Sequence, residues 1–305
     1  PQQAWKLLQP YDNDELSKFP KLLTEKVYLL LAQERRDEAY EVMSTMYGED
    51  KLPQALYKEY LLVAMSRNEP ELVVELSELI DPNLFTEAEM IRMLELAHLY
   101  RAEELLALVK ERFGTVEMQA QYPLMATILA LLTDDDSADA KLRALDDMEL
   151  TNQQIIQVAG ACARVERMQC AERYLDRVSD YTALSDSEVL SLADIYVLTH
   201  QYREGYEMLS GMEDRNSPAM EFMTVKLASA LGKEEQVKEW VSNTALITNQ
   251  QFSDMFFLAH ENRHRELAVF LAEKYYAQDE NAKTRDYLVN AYMSAGRYEA
   301  ALPFF

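Results

Sequence analysis

The residues whose types and spacing come nearest to chemistry are His260-Glu261-Asn262-Arg263-His264. Two histidines four positions apart with a glutamate after the first match H-E-x-x-H, in which imidazoles on one helical face hold zinc and the carboxylate activates a bound water. Three features argue against that chemistry here. Arg263 and Arg265 put positive charge beside the would-be cation. No histidine follows His264 as a third ligand, and the only others, His98 and His200, lie far upstream. The helical frame set out below also puts His260 near the end of one helix and His264 in the turn after it, so the pair reads as a solvated polar turn.

Cysteine chemistry is equally sparse. Cys162 and Cys170 are the only two cysteines, eight residues apart, which places them on the two antiparallel helices of one hairpin. A disulfide there is geometrically possible but not required, and with no neighbouring histidine the pair is not a zinc site. No G-x-S-x-G elbow and no glycine-rich phosphate loop occurs. The expectation is a protein that is not an enzyme and needs no cofactor and no metal.

The elements that position these residues follow a beat. Ala4, Ala39, Val73, Leu105, Ala140, Ala171, Gly205, Val237, Ala268 and Ala301 recur every 31 to 35 residues. A period near 33 means stacked units rather than one closed core. With only 7 Gly and 9 Pro in 305 residues, the chain has few of the turns that strands need, so the units are helical. Counting from Pro20 gives units near 20–53, 54–85, 86–120, 121–151, 152–185, 186–217, 218–248 and 249–281, with half-units at both ends.

In the last unit Leu288, Ala291 and Tyr292 share one helical face, Gly296 ends that helix, and Tyr298 and Ala301 open the return helix. This stretch resembles the tetratricopeptide repeat, as do Leu192-Ala193 with Tyr202 and Gly205. The resemblance implies an all-α fold, a right-handed α-solenoid of degenerate helix-turn-helix repeats, running as one continuous superhelix over 1–305. Val73, Leu105 and Val237 depart from the small residue of the family, and Asp134-Asp135-Asp136 stands in a turn where the family often has glycine.

The repeat frame implies a groove lined by the first helices, and it puts Asp194, Phe257, Glu261 and Asn290 on that side. Phe252, Phe256, Phe257, Tyr275 and Tyr276 read as one local aromatic cluster, most of it core. Carboxylates and ring faces together suit a basic peptide or a cationic sugar chain. The first helices assemble no Lys/Asn/Arg clamp for a carboxylate tail.

Fifty-three acidic against 30 basic residues give a net charge of −23, which repels nucleic acid and anionic membrane and attracts basic partners. The longest apolar run, Pro123 to Leu132, is about half a membrane span. The chain opens within a second helix and closes within another, which reads as a segment of a longer protein. Degenerate acidic repeats of this kind resemble the periplasmic repeat region of Pel-type exopolysaccharide export proteins. That resemblance rests on Tyr292, Gly296, Tyr298 and Ala301. It implies a periplasmic scaffold that recruits a polymer-modifying enzyme and guides a cationic polymer. A cytoplasmic assembly or regulatory hub binding a basic protein shares the fold and stays open as the alternative.

Overall fold

A computed structural model describes residues 7–8, 10–178, 181–212 and 217–305. Ala4, the first beat of the period, lies outside them, as do Trp5 and Lys6. The regular structure of the described residues is all helical, with no strand, and the chain divides into two compact units, Pro1–Glu149 and Leu150–Phe305.

In the first unit a short α1 (Asn13–Ser17) precedes the pairs α2/α3 (Pro20–Ala32, Arg36–Gly48), α4/α5 (Tyr57–Ser66, Pro70–Glu78) and α6/α7 (Glu87–Leu99, Glu103–Phe113). A short α8 (Val116–Gln121) then leads into α9/α10 (Pro123–Leu132, Ala138–Asp146). The second unit holds α11/α12 (Asn152–Arg164, Met168–Leu175), α13/α14 (Asp186–Leu198, Tyr202–Ser210) and α15/α16 (Pro218–Ala230, Glu234–Asn243). It ends with α17/α18 (Asn249–Glu261, Arg265–Gln278) and α19/α20 (Ala282–Ser294, Tyr298–Ala301).

First helices start where the sequence supplies a cap. Thr86, Thr151, Ser185 and Thr248 each accept from the backbone N–H three residues on, while the Glu or Gln at that position reaches back to the cap. Pro20 and Pro123 instead occupy the first helical position, where their missing N–H costs nothing, and Pro218 does so behind Ser217, whose hydroxyl accepts from the Met220 N–H.

The end of every first helix is the same turn. Glu34, Asn68, Arg101, Asp134, Glu166, His200, Gly232, Arg263 and Gly296 all have positive φ, between 51° and 73°. The next residue's N–H then bonds the carbonyl five positions back, as in Arg35 to Leu30, Arg167 to Cys162 and Arg297 to Tyr292. This backbone closure satisfies the orphan carbonyls of the helix end and reverses the chain. Seven of the nine positions are not glycine, at a cost of about 1 kcal/mol each for the left-handed conformation.

Four or five residues after each turn residue comes the small or apolar position of the beat. Ala39, Val73, Leu105, Ala171, Val237, Ala268 and Ala301 are all buried, so Val73, Leu105 and Val237 fill this position with larger side chains without leaving the core. At Gly205 a Cβ would come within 2.9 Å of Tyr196 Cβ and 3.3 Å of Leu227 Cδ1, so the approach of α13 and α15 requires glycine. One beat falls elsewhere than the period predicts. Ala140 is exposed, and Ala138 is the buried residue. The aspartate turn delivers the chain so that α10 begins at Ala138, and two positions rotate a side chain by about 200° around the helix, to the solvent side.

The Pro123–Leu132 run is the buried helix α9. No helix among the described residues is long and apolar enough to cross a membrane.

Candidate partner-binding site

Every residue of the candidate site sits on a first helix of the second unit: Asp194 on α13, Phe257 and Glu261 on α17, and Asn290 on α19. Phe257, Glu261 and Asn290 are exposed, and Asp194 is half-buried.

Asp194 is not an open carboxylate. Lys226 on α15, its side chain only 15% exposed, holds Nζ 3.5 Å from Asp194 Oδ1 and 3.5 Å from Asp254 Oδ2 on α17. One lysine thus links three consecutive first helices through two carboxylates. The register that gives Asp194 and Phe257 also gives Lys226. Asp254, one turn before Phe257, is the residue that sequence spacing alone does not single out.

Around Phe257 the arrangement is aromatic. Its ring meets Tyr287 of α19 edge-on, centroids 5.1 Å apart, and Tyr287 in turn stacks on Phe256 at 5.2 Å. Lys283 Nζ lies 5.8 Å from the Tyr287 centroid, so that ring already has a cation near its face. Asp254, Phe257 and Glu261 follow one another along α17 at i, i+3 and i+7, which sets them on one stripe. Tyr287 and Asn290 repeat the spacing on α19. Tyr287 is absent from the cluster read in the sequence because it lies 30 residues from Phe257, in the next pair.

That cluster itself divides. Phe252 stacks on Tyr275 at 5.6 Å and both are buried in the core with Phe256. Tyr276 instead packs edge-on against Phe304. Burial pushes the Tyr275 hydroxyl above its ordinary pKa.

The two histidines of the H-E-x-x-H match face different neighbours. His260, in the last turn of α17, shares a hydrogen bond with Ser294 Oγ of the following pair at 3.0 Å and stacks on Phe256. His264 stands at the residue before α18 and donates from Nε2 to the Ala230 carbonyl of the preceding pair at 2.9 Å. His264 therefore corrects the expectation of a solvated turn, because its ring is built into the junction between pairs. Among the described residues no group of three or more His, Cys, Asp or Glu side chains is arranged to hold a metal ion.

Cys162 and Cys170 form a disulfide joining α11 to α12, with Cα atoms 5.8 Å apart and Cys162 fully buried. The bond closes the hairpin on the side of its own turn, beside Glu166 and Arg167.

The arrangement offers recognition: exposed ring faces with carboxylates on neighbouring turns attract a cation that carries an apolar body. No family model matches the sequence, and no curated protein matches it.

Proposed function

We propose that this chain is a non-catalytic scaffold of tetratricopeptide-like repeats whose first-helix face binds a protein partner with a basic surface. The observation that carries the reading is the stripe of Asp254, Phe257 and Glu261 beside Tyr287 and Asn290, in a chain of net charge −23. A cationic partner gains from the carboxylates and from the ring faces together.

The setting proposed is the periplasmic part of a Pel-type exopolysaccharide secretion complex, where the scaffold recruits a polymer-modifying enzyme and guides a cationic polymer. The Cys162–Cys170 disulfide supports it, because such bonds persist in oxidising compartments and are rare in the cytosol.

Titration of the chain with octalysine at low salt tests the face. Saturable binding that is weakened in an Asp194→Lys, Glu261→Lys variant supports the reading, and unchanged affinity in that variant overturns it. Thiol trapping in cells tests the setting. Cysteines that resist alkylation until reduced support the periplasm, whereas freely alkylated ones favour a cytoplasmic hub with the same binding face.

A further inference from the structure

A second surface lies on the side of the second helices. Between α14 and α16, floored by the start of α15, runs a groove of about 660 Å³. Its walls include Met212, Met220, Glu221, Glu239, Trp240 and Asn243, and none of the described residues lining it is basic.

Three independent features give this groove one electrostatic sign. Glu221 and Glu239 are both exposed carboxylates on its wall. Helix α14 ends at Ser210 and α16 at Asn243, both lining residues, so two helix C-termini bring their partial negative charge to it. Trp240 adds an indole, held by Phe222 with centroids 5.9 Å apart, and the indole face is the strongest side-chain partner for a cation. The wall is also fixed in place, because Tyr206 Oη of α14 donates to Gln236 Oε1 of α16 at 2.8 Å. Lys233 rests 4.1 Å from the same Tyr206 ring, which shows that side of the pair holding a cation over an aromatic face.

Met212, Met220 and Leu209 give part of the remaining wall a thioether and aliphatic surface, beside the uncharged polar Ser210, Thr224 and Thr244. We propose that the groove receives an arginine or lysine side chain from a basic peptide segment of a partner protein, its methylene stem against the methionines and its cationic head between Trp240 and the two glutamates. Nucleic acid is repelled by the same carboxylates.

The test uses the full chain with its other tryptophan replaced, Trp5→Phe, so that Trp240 is the only indole. Fluorescein-labelled octa-arginine is titrated at low salt, with peptide anisotropy as the binding readout and Trp240 emission as the report of place. The expected result is saturable binding with a matching change in Trp240 emission, weakened about tenfold or more in Glu221→Gln, Glu239→Gln, whose circular dichroism stays that of the parent. Trp240→Phe, which keeps a ring against Phe222, should weaken binding as well. The Asp194→Lys, Glu261→Lys variant should leave the Trp240 response intact, which separates this groove from the first-helix face. Binding without any change at Trp240, equal affinity in the glutamine variant, or a glucosamine octamer that competes more tightly than the peptide would each overturn the assignment.

Discussion

His264 fills the space beside Gly232. The glycine adopts φ +66°, and a Cβ on it would come within 2.8 Å even of the imidazole Cγ, while the same ring donates its hydrogen bond to Ala230. The turn of one pair is thus shaped to admit a side chain from the turn of the next. Gly232→Ala should cost about 1–3 kcal/mol, from the left-handed backbone and the clash together. His264→Ala alone should cost about 1 kcal/mol for the lost hydrogen bond. Urea unfolding checks both, and the double variant should cost less than the sum because the clash is gone.

Lys226 competes with any basic partner for Asp194 and Asp254, since it lies 3.5 Å from each. Lys226→Gln should raise affinity for octalysine several-fold at low salt and lose that advantage as salt screens the carboxylates. Stability should fall by no more than about 1 kcal/mol, the ordinary worth of partly exposed ion pairs.

The Tyr292 hydroxyl, pushed up to about 12 by burial and then by its 2.8 Å hydrogen bond to Glu273, favours the folded state as long as it stays protonated. An unfolded tyrosine ionises near pH 10. This contribution is therefore complete below about pH 10 and disappears as pH rises through 12. Unfolding followed across that window should show stability falling, and Tyr292→Phe should flatten the fall.

Reducing the Cys162–Cys170 bond opens a hairpin closed at a separation of eight residues. Loop-closure entropy for so short a loop corresponds to about 2–3 kcal/mol. Dithiothreitol, or Cys170→Ser, should lower the urea midpoint of the second unit and speed amide exchange in α11 and α12 before other helices.

Ser77 on α5 is fully buried, and its hydroxyl has no hydrogen-bond partner, although its carbonyl accepts from Arg112. Ser77→Ala removes an unsatisfied group at little loss of volume and should raise stability by about 1 kcal/mol. Thermal melts check the sign.

Much of this fold can be read from periodicity, because burial repeats with the helix pair and Leu288, Ala291 and Tyr292 already show one face. Helix starts are equally legible, since Thr151 with Gln154 or Ser185 with Glu188 is a local signal. The phase fails where a turn carries no landmark. At Asp134 to Ser137 nothing in the residue types says where the helix resumes, and Ala140 takes the place of Ala138. The candidate site is legible only as far as one helix reaches. Phe257 and Glu261 follow from spacing on α17, but Tyr287 and the Lys226 link depend on contacts between pairs, which no local pattern encodes. His264 is masked by its own motif: its residue types match a zinc pattern, while the neighbour it packs on, Gly232, lies 32 residues earlier.

The nine turns are closed by the same main-chain hydrogen bond, so the closure itself asks of the side chain only that it tolerate φ near +60°. In this chain they include two glutamates, two arginines, an asparagine, an aspartate and a histidine. At exposed turn positions such as Glu34 and Arg263 charge can be rewritten without disturbing the buried beat five residues later, whereas Asn68 accepts from Arg92, His200 bonds Tyr202, and Gly232 leaves room for His264. The molecule carries an editable border along a fixed interior, and its choice of partners can drift there while its architecture stays constant.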